Sequence, residues 1–288
     1  MTYAEELKKI VENALNEDCY KEDYTSNAVI DKRETISCSV ITRTAGVSSG
    51  IEIACMVYNH INPKLKIKVL KESGSYLNRG DVLIALDGPV RDILRGQRVV
   101  ENFLQRLCSI ATLTNKYVNE VKGTKCKILD SRNNTPNLRI LEKRAVVDGG
   151  GLNDVFSLKE RLCITRNHIM INHNIEELVN KLLPVKEKNN LLIQVEVDER
   201  EDFLAALKTK CDLIVLNDFN PEIVKEFIGI NNKSKILIAK GNYSLGVVHE
   251  LAKAGIDYIS LESITSNIKP LDISVRFYKN WYYIIYLS

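Results

Sequence analysis

The chain has 288 residues, 45% of them apolar and 27% charged, and its 40 lysines and arginines against 37 acidic residues leave a formal charge of +3. That length supports one large core or two domains, and so even a charge argues against nucleic acid or an anionic membrane as the main partner. No apolar run reaches the length of a membrane span, and residues 1–15 read as an amphipathic helix rather than a signal peptide.

The seven cysteines are odd in number, lack a C-x-x-C pair and sit singly in apolar runs, so they read as reduced core thiols of a cytoplasmic protein. After the opening helix, residues 36–42 alternate like a half-buried strand, 46–50 form a flexible turn and 51–61 carry helical periodicity. Residues 65–70 and 82–86 look like strands punctuated by Gly74, Gly80 and Gly88. A small sheet with helices on one side is the economical arrangement. Residues 90–121 then form a long helix with apolar positions at Ile93, Leu94, Val100, Phe103, Leu104, Leu107 and Ile110.

From residue 126 onward short apolar runs alternate with helical patterns. The runs are 126–129, 162–164, 191–197, 212–216, 235–239 and 257–261, and the helical patterns include 175–183, 201–207, 221–228 and 244–254. This spacing predicts parallel βαβ units, for which a barrel and a doubly wound sheet are the candidates. In a barrel the reactive side chains sit at the strand C-termini, with phosphate held by the loops after the last strands. The strand ends supply Asp130 and Arg132, Thr165 to His168, Glu196, Asn217-Asp218, Lys240-Gly241-Asn242 and Glu262.

Residues 126–169 concentrate these signals. Pro136 suits the first turn of the helix that follows, and Gly149-Gly150-Gly151 permit close backbone approach or positive φ. The run Ser131-Arg132-Asn133-Asn134-Thr135-Pro136-Asn137-Leu138-Arg139, then Leu141-Glu142-Lys143-Arg144-Ala145-Val146, the three glycines with Leu152-Asn153, and Ile164-Thr165-Arg166-Asn167-His168 together resemble the quinolinate phosphoribosyltransferase family. Asp23-Tyr24-Thr25-Ser26 and the helix around Arg98-Val99-Val100-Glu101-Asn102-Phe103-Leu104-Gln105-Arg106-Leu107 extend the likeness, as does Asp272-Ile273-Ser274-Val275 near the C-terminus.

The resemblance implies an α/β protein with an N-terminal α+β open sandwich domain followed by an incomplete α/β (TIM-like) barrel. The expected division is 1–112, rejoined by a return segment 271–288, and 113–270 for the barrel. It also implies catalytic roles for Glu196, Arg132 and His168, and substrate binding by Arg98, Arg132, Arg139, Lys143, Arg166, Asn167, Lys240 and Gly241. Arg98 is expected to reach a neighbouring subunit's site. No protein-only metal site is expected, and no tightly bound cofactor; Mg²⁺ is the candidate ion if phosphoribosyl pyrophosphate is the donor.

Several positions depart from the family pattern. Asn133 and Thr165 stand for lysines, Asp154-Val155 for His-Arg, Asn217-Asp218 for Asp-Asn, Lys240-Gly241-Asn242 for Ser-Gly-Gly and Glu262 for a glycine. Lys240 and Glu262 are expected to pair, while Glu196 either touches substrate or pairs with Arg132 or Arg139. The expected function is phosphoribosyl transfer involving a small anionic substrate, with altered substrate or chemistry. Two other readings remain: a non-catalytic paralogue serving an active homologue, and ordinary decarboxylating transfer to quinolinate in NAD biosynthesis. A homodimer or larger homo-oligomer is expected, or a mixed oligomer with an active paralogue. The tail Trp281-Tyr282-Tyr283-Ile284-Ile285-Tyr286 reads as a strand or a subunit contact.

Overall fold

The computed structural model describes residues 2–278. The chain divides into two compact units, one of Met1–Leu113, Pro136–Gly150 and the segment beginning at Ile268, the other of Thr114–Thr135 and Gly151–Asn267. Pro136–Gly150, placed with the barrel by the sequence reading, therefore groups with the first unit. The aromatic tail at 281–286 lies outside the described residues.

The first unit opens with helix α1 (Tyr3–Glu17), whose start is fixed by reciprocal bonds: Thr2 N–H donates to Glu5 Oε2 at 2.7 Å and Glu5 N–H to Thr2 Oγ1 at 3.3 Å. Its buried face is Leu7, Ile10, Val11 and Leu15, the spacing of one helical stripe. A short helix α2 (Tyr24–Val29) precedes strands β1 (Thr35–Thr42) and β2 (Gly46–Val47), then helix α3 (Ile51–Ile61) and strands β3 (Lys66–Val69), β4 (Tyr76–Leu77) and β5 (Val82–Pro89). Gly46-Val47, expected as part of a flexible turn, instead pair with β4, because their backbone groups meet Leu77 and Tyr76 in register. The long helix α4 (Val90–Glu120) begins in this unit. Ile93, Val100, Leu104, Leu107 and Ile110 are all buried along one side of it.

In chain order there follow β6 (Lys127–Leu129), α5 (Arg139–Asp148), β7 (Leu162–Ile164), α6 (Arg166–Asn172), α7 (Ile175–Asn189), β8 (Ile193–Val197), α8 (Arg200–Leu207), β9 (Leu213–Asn217), α9 (Pro221–Asn231), β10 (Ile236–Lys240), α10 (Leu245–Ala254), β11 (Tyr258–Ser260), α11 (Ser263–Ser266) and β12 (Ile273–Tyr278). The return strand β12 pairs antiparallel with β1, so the first unit's sheet runs β12-β1-β5-β3. Pro136 does not lie in the first turn of α5. Asn137, at φ 65°, makes a left-handed turn after it, and the helix starts at Arg139. Of the three glycines only Gly150 has positive φ, at 88°, where the chain leaves α5.

The second unit's sheet runs β6-β11-β10-β9-β8-β7, all parallel. Strands β7 to β11 follow one another in space as in sequence, with no reversal, which excludes the doubly wound alternative. β6, the first strand, then pairs with β11, the last, so the order is circular with one pairing open, between β6 and β7. This is an incomplete barrel. Leu152 lies on the open edge of β6 in a parallel bridge to Leu129.

Register identifies the barrel's inner face. Leu129, Leu213, Val215 and Ile238 cluster with Tyr258, and Glu196 is level with Val215 on the adjacent strand. Two residues further along β9 and β10, on the same face by the period of a strand, the cluster gives way to Asn217 and Lys240, which are level with each other. The barrel is therefore apolar below and polar at its C-terminal rim. On the helical side Phe203 and Phe227, both fully buried, stack with ring centroids 4.0 Å apart.

Candidate active site

Lys240, the last residue of β10, stands at the centre of this rim. Its Nζ donates to Glu196 Oε1 at 2.7 Å and lies 3.4 Å from Glu262 Oε1, so the expected pairing with Glu262 is present. Glu196 pairs with this lysine rather than with either arginine proposed for it. The side chains of Glu196, Lys240 and Glu262 are 15%, 26% and 38% exposed. Burial works to lower the Lys240 pKa, but the hydrogen bond and charge of Glu196, joined by the charge of Glu262, outweigh it and hold the ammonium above its usual range.

Arg166 opens α6, and its Nε lies 3.2 Å from Asp198 Oδ2. Asn217 Nδ2 donates to the other oxygen of the same carboxylate at 3.2 Å. Asp154 is joined to Arg161 at 2.7 Å, and Arg161 also donates to Gln194 Oε1 at 2.7 Å. The Asp154 backbone N–H donates to Asp130 Oδ1 at 2.7 Å, tying the segment after the glycines to the end of β6. Burial raises the Cys163 thiol pKa, and the charges of Arg161, Asp154, Arg132 and Glu196 all act on it as well. Arg132 itself is exposed just past β6.

The Thr165-to-His168 segment, expected simply as a rim peptide, enters helix α6 because Thr165 and His168 cap it. Thr165 N–H donates to His168 Nδ1 at 3.1 Å, and Thr165 Oγ1 lies 2.8 Å from the same nitrogen. A neutral His168 ring consequently carries its hydrogen on Nε2. His168 and Asn167 are exposed.

Gly241 is buried, and its N–H donates to Ser260 O at 3.3 Å. A Cβ there would stand 2.9 Å from Asp218 Oδ1 and 3.2 Å from the Tyr243 ring, so a larger residue would have to displace those side chains. The remaining candidates belong to the first unit. Arg98 is exposed on α4 with its guanidinium 3.2 Å from Glu101. Arg139 begins α5, and Lys143 in the same helix is fully buried.

Sequence reasoning missed Asp198, Arg161 and Gln194. The signal available for two of them was alternation, since Gln194, Glu196 and Asp198 put a polar residue at every second position of an otherwise apolar run. Among the described residues no group of three or more His, Cys, Asp or Glu side chains is gathered to hold a metal. Asp218, exposed just past β9, is a carboxylate of the kind that Mg²⁺ takes alongside substrate phosphates, whereas Glu196 is already bonded to Lys240.

A parallel barrel with charged side chains collected at its C-terminal rim defines an α/β-barrel protein built to handle a small polar ligand. Residues 23–108 and 110–276 match the families described as quinolinate phosphoribosyl transferase, N-terminal domain and C-terminal domain. The chain belongs to the quinolinate phosphoribosyltransferase family. It is 31% identical over 270 residues to a probable nicotinate-nucleotide pyrophosphorylase [carboxylating] of Bacillus subtilis (strain 168), covering 94% of this chain and 93% of that one. A solved nicotinate-nucleotide pyrophosphorylase from Ehrlichia chaffeensis superposes with a TM-score of 0.90 at 30% identity, covering 96% and 99% of the two chains. The corresponding structure from Francisella tularensis gives 0.88 at 29% identity, covering 96% and 98%. No described helix is long and apolar enough to cross a membrane.

Proposed function

We propose that this chain transfers phosphoribose from phosphoribosyl pyrophosphate to a small anionic acceptor that carries less charge than quinolinate. The observation that carries the proposal is the charge balance of the barrel rim. Lys240 is already matched by Glu196 and Glu262, Arg166 by Asp198 and Arg161 by Asp154. A dicarboxylate and a pyrophosphate together need many uncommitted cations. A monocarboxylate acceptor asks for fewer, and Arg132, exposed just past β6, is the rim cation placed to supply one.

In this reading Arg132 orients the acceptor's carboxylate. Glu196 stabilises positive charge developing on the ribose, and His168 offers Nε2–H as a hydrogen-bond donor. Asp218 together with the donor's phosphates would hold Mg²⁺, which would supply charge screening for the departing pyrophosphate. The free thiols support a reducing compartment such as the cytoplasm, and a homodimer or larger homo-oligomer is the proposed assembly.

A second reading, ordinary transfer to quinolinate with release of CO₂, is favoured by likeness along 94% of the chain to proteins named as carboxylating pyrophosphorylases. The test is pyrophosphate release from phosphoribosyl pyrophosphate and Mg²⁺ with quinolinate, with nicotinate as a pyridine monocarboxylate, and with no acceptor. Release with nicotinate at a higher kcat/KM than with quinolinate is expected. Comparable or faster turnover of quinolinate with stoichiometric CO₂ would establish the second reading. No release with either acceptor, and no binding of the donor, would overturn both and return the non-catalytic alternative.

A further inference from the structure

We infer that Glu262 is a built-in competitor for the anion seat at Lys240, so that a phosphate reaching this rim must displace the Glu262 carboxylate before it can use the lysine. The inference deepens the reading proposed above by naming the residue that sets anion selectivity there.

Three observations carry it. Lys240 closes β10, and Glu262 follows the residue after β11. These are the last two strands of the barrel, whose loops are the common seat of phosphate in this architecture. Lys240 is gripped unequally by its partners. Glu196 is the more buried and holds the shorter contact, 2.7 Å, whereas Glu262 is 38% exposed and lies at 3.4 Å. Glu262 is therefore the partner that solvent can take over and that can leave without stranding a buried charge. Finally, the Gly241 N–H is already bonded to Ser260 O, so at this point the loop gives an anion the lysine rather than that backbone donor.

The three side chains Glu196, Lys240 and Glu262 sum to one negative charge while Glu262 stays in place. An entering anion thus meets repulsion unless it carries enough charge to win the lysine. A phosphate dianion exchanges with the carboxylate, and a monoanion gains little. Glu262 acts on the ligand through Lys240 and by its own repulsion, as a specificity-determining residue rather than a catalytic one.

Isothermal titration of the full-length protein with inorganic phosphate tests this in the wild type, Glu262→Gln, Lys240→Met and the double variant. Glu262→Gln is expected to bind phosphate about fivefold tighter, the scale of one partly exposed ion pair. The gain should disappear in the Lys240→Met background and persist in Lys240→Arg, which keeps the cation and guards against misfolding of the methionine variant. Equal or weaker binding by Glu262→Gln, a gain that survives Lys240→Met, or no phosphate binding by any variant would overturn the inference. Pyrophosphate release is measured separately. Turnover by the wild type without a Glu262→Gln gain removes the inference alone, whereas the gain without turnover removes the transferase reading alone.

Discussion

Replacing Arg161 with methionine should expose how much of the rim's charge is structural. Arg161 and Asp154 meet at 2.7 Å with side chains 16% and 19% exposed. Direct attraction at that distance is ~6 kcal/mol for an effective dielectric near 20, most of which offsets the loss of hydration on bringing both groups out of water. A coupling of about 1.5–2 kcal/mol remains, within the range found for contacting residues. Arg161→Met also strips a donor from the buried Gln194 Oε1, adding about 1 kcal/mol. The single variant should lose about 3 kcal/mol. Urea unfolding followed by far-UV circular dichroism, on the wild type, Arg161→Met, Asp154→Asn and the double variant, yields the coupling directly. A coupling below about 0.5 kcal/mol would refute the claim that Asp154 and Arg161 form a stabilising ion pair.

Three further outcomes are expected. Phe227→Ala, which removes one ring of a fully buried stack, should cost about 3–5 kcal/mol in the same unfolding assay. Thiol titration of the native protein with an aromatic disulfide reagent should find Cys19 the fast site, since it is exposed. Cys38, Cys108 and Cys126, pushed up to about 12 by burial, should react only on unfolding. The Lys240 pKa is raised in the folded state, so its contribution to stability is fully present below the ordinary lysine value of about 10.4 and is lost as pH rises through the higher folded value. The stability gap between wild type and Lys240→Met should accordingly be constant from neutral pH to about 10 and shrink above it.

Where a pattern repeats over a whole element, the sequence made the fold legible. The buried positions Ile93, Val100, Leu104, Leu107 and Ile110 mark α4 almost to the residue, and six short apolar runs locate the barrel strands within a residue or two. α6 was not legible as a helix because Met170 and Ile171 face solvent, 59% and 77% exposed, and erase the amphipathic signal. Pro136 misled because a proline near a helix start is usually inside its first turn, whereas Asn137 makes a left-handed turn first. At the rim, residue types were readable but partners were not. Glu196 could have met any of several cations, and only the register of β8, β9 and β10 puts Lys240 within reach.

That register also bears on how the rim carries its charge. Thr165 caps α6 together with His168. Asp154 pairs with Arg161 while its backbone N–H donates to Asp130. Glu196 and Glu262 both face Lys240. Because buried or half-buried polar groups are costly when unmatched, these pairings hold the rim together as well as setting its charge. A rim of this kind binds an anion by exchanging partners rather than by filling open positions. Exchange lowers affinity for every anion but lowers it most for those that cannot replace a carboxylate at Lys240, so a pairing that weakens a site can sharpen its selectivity.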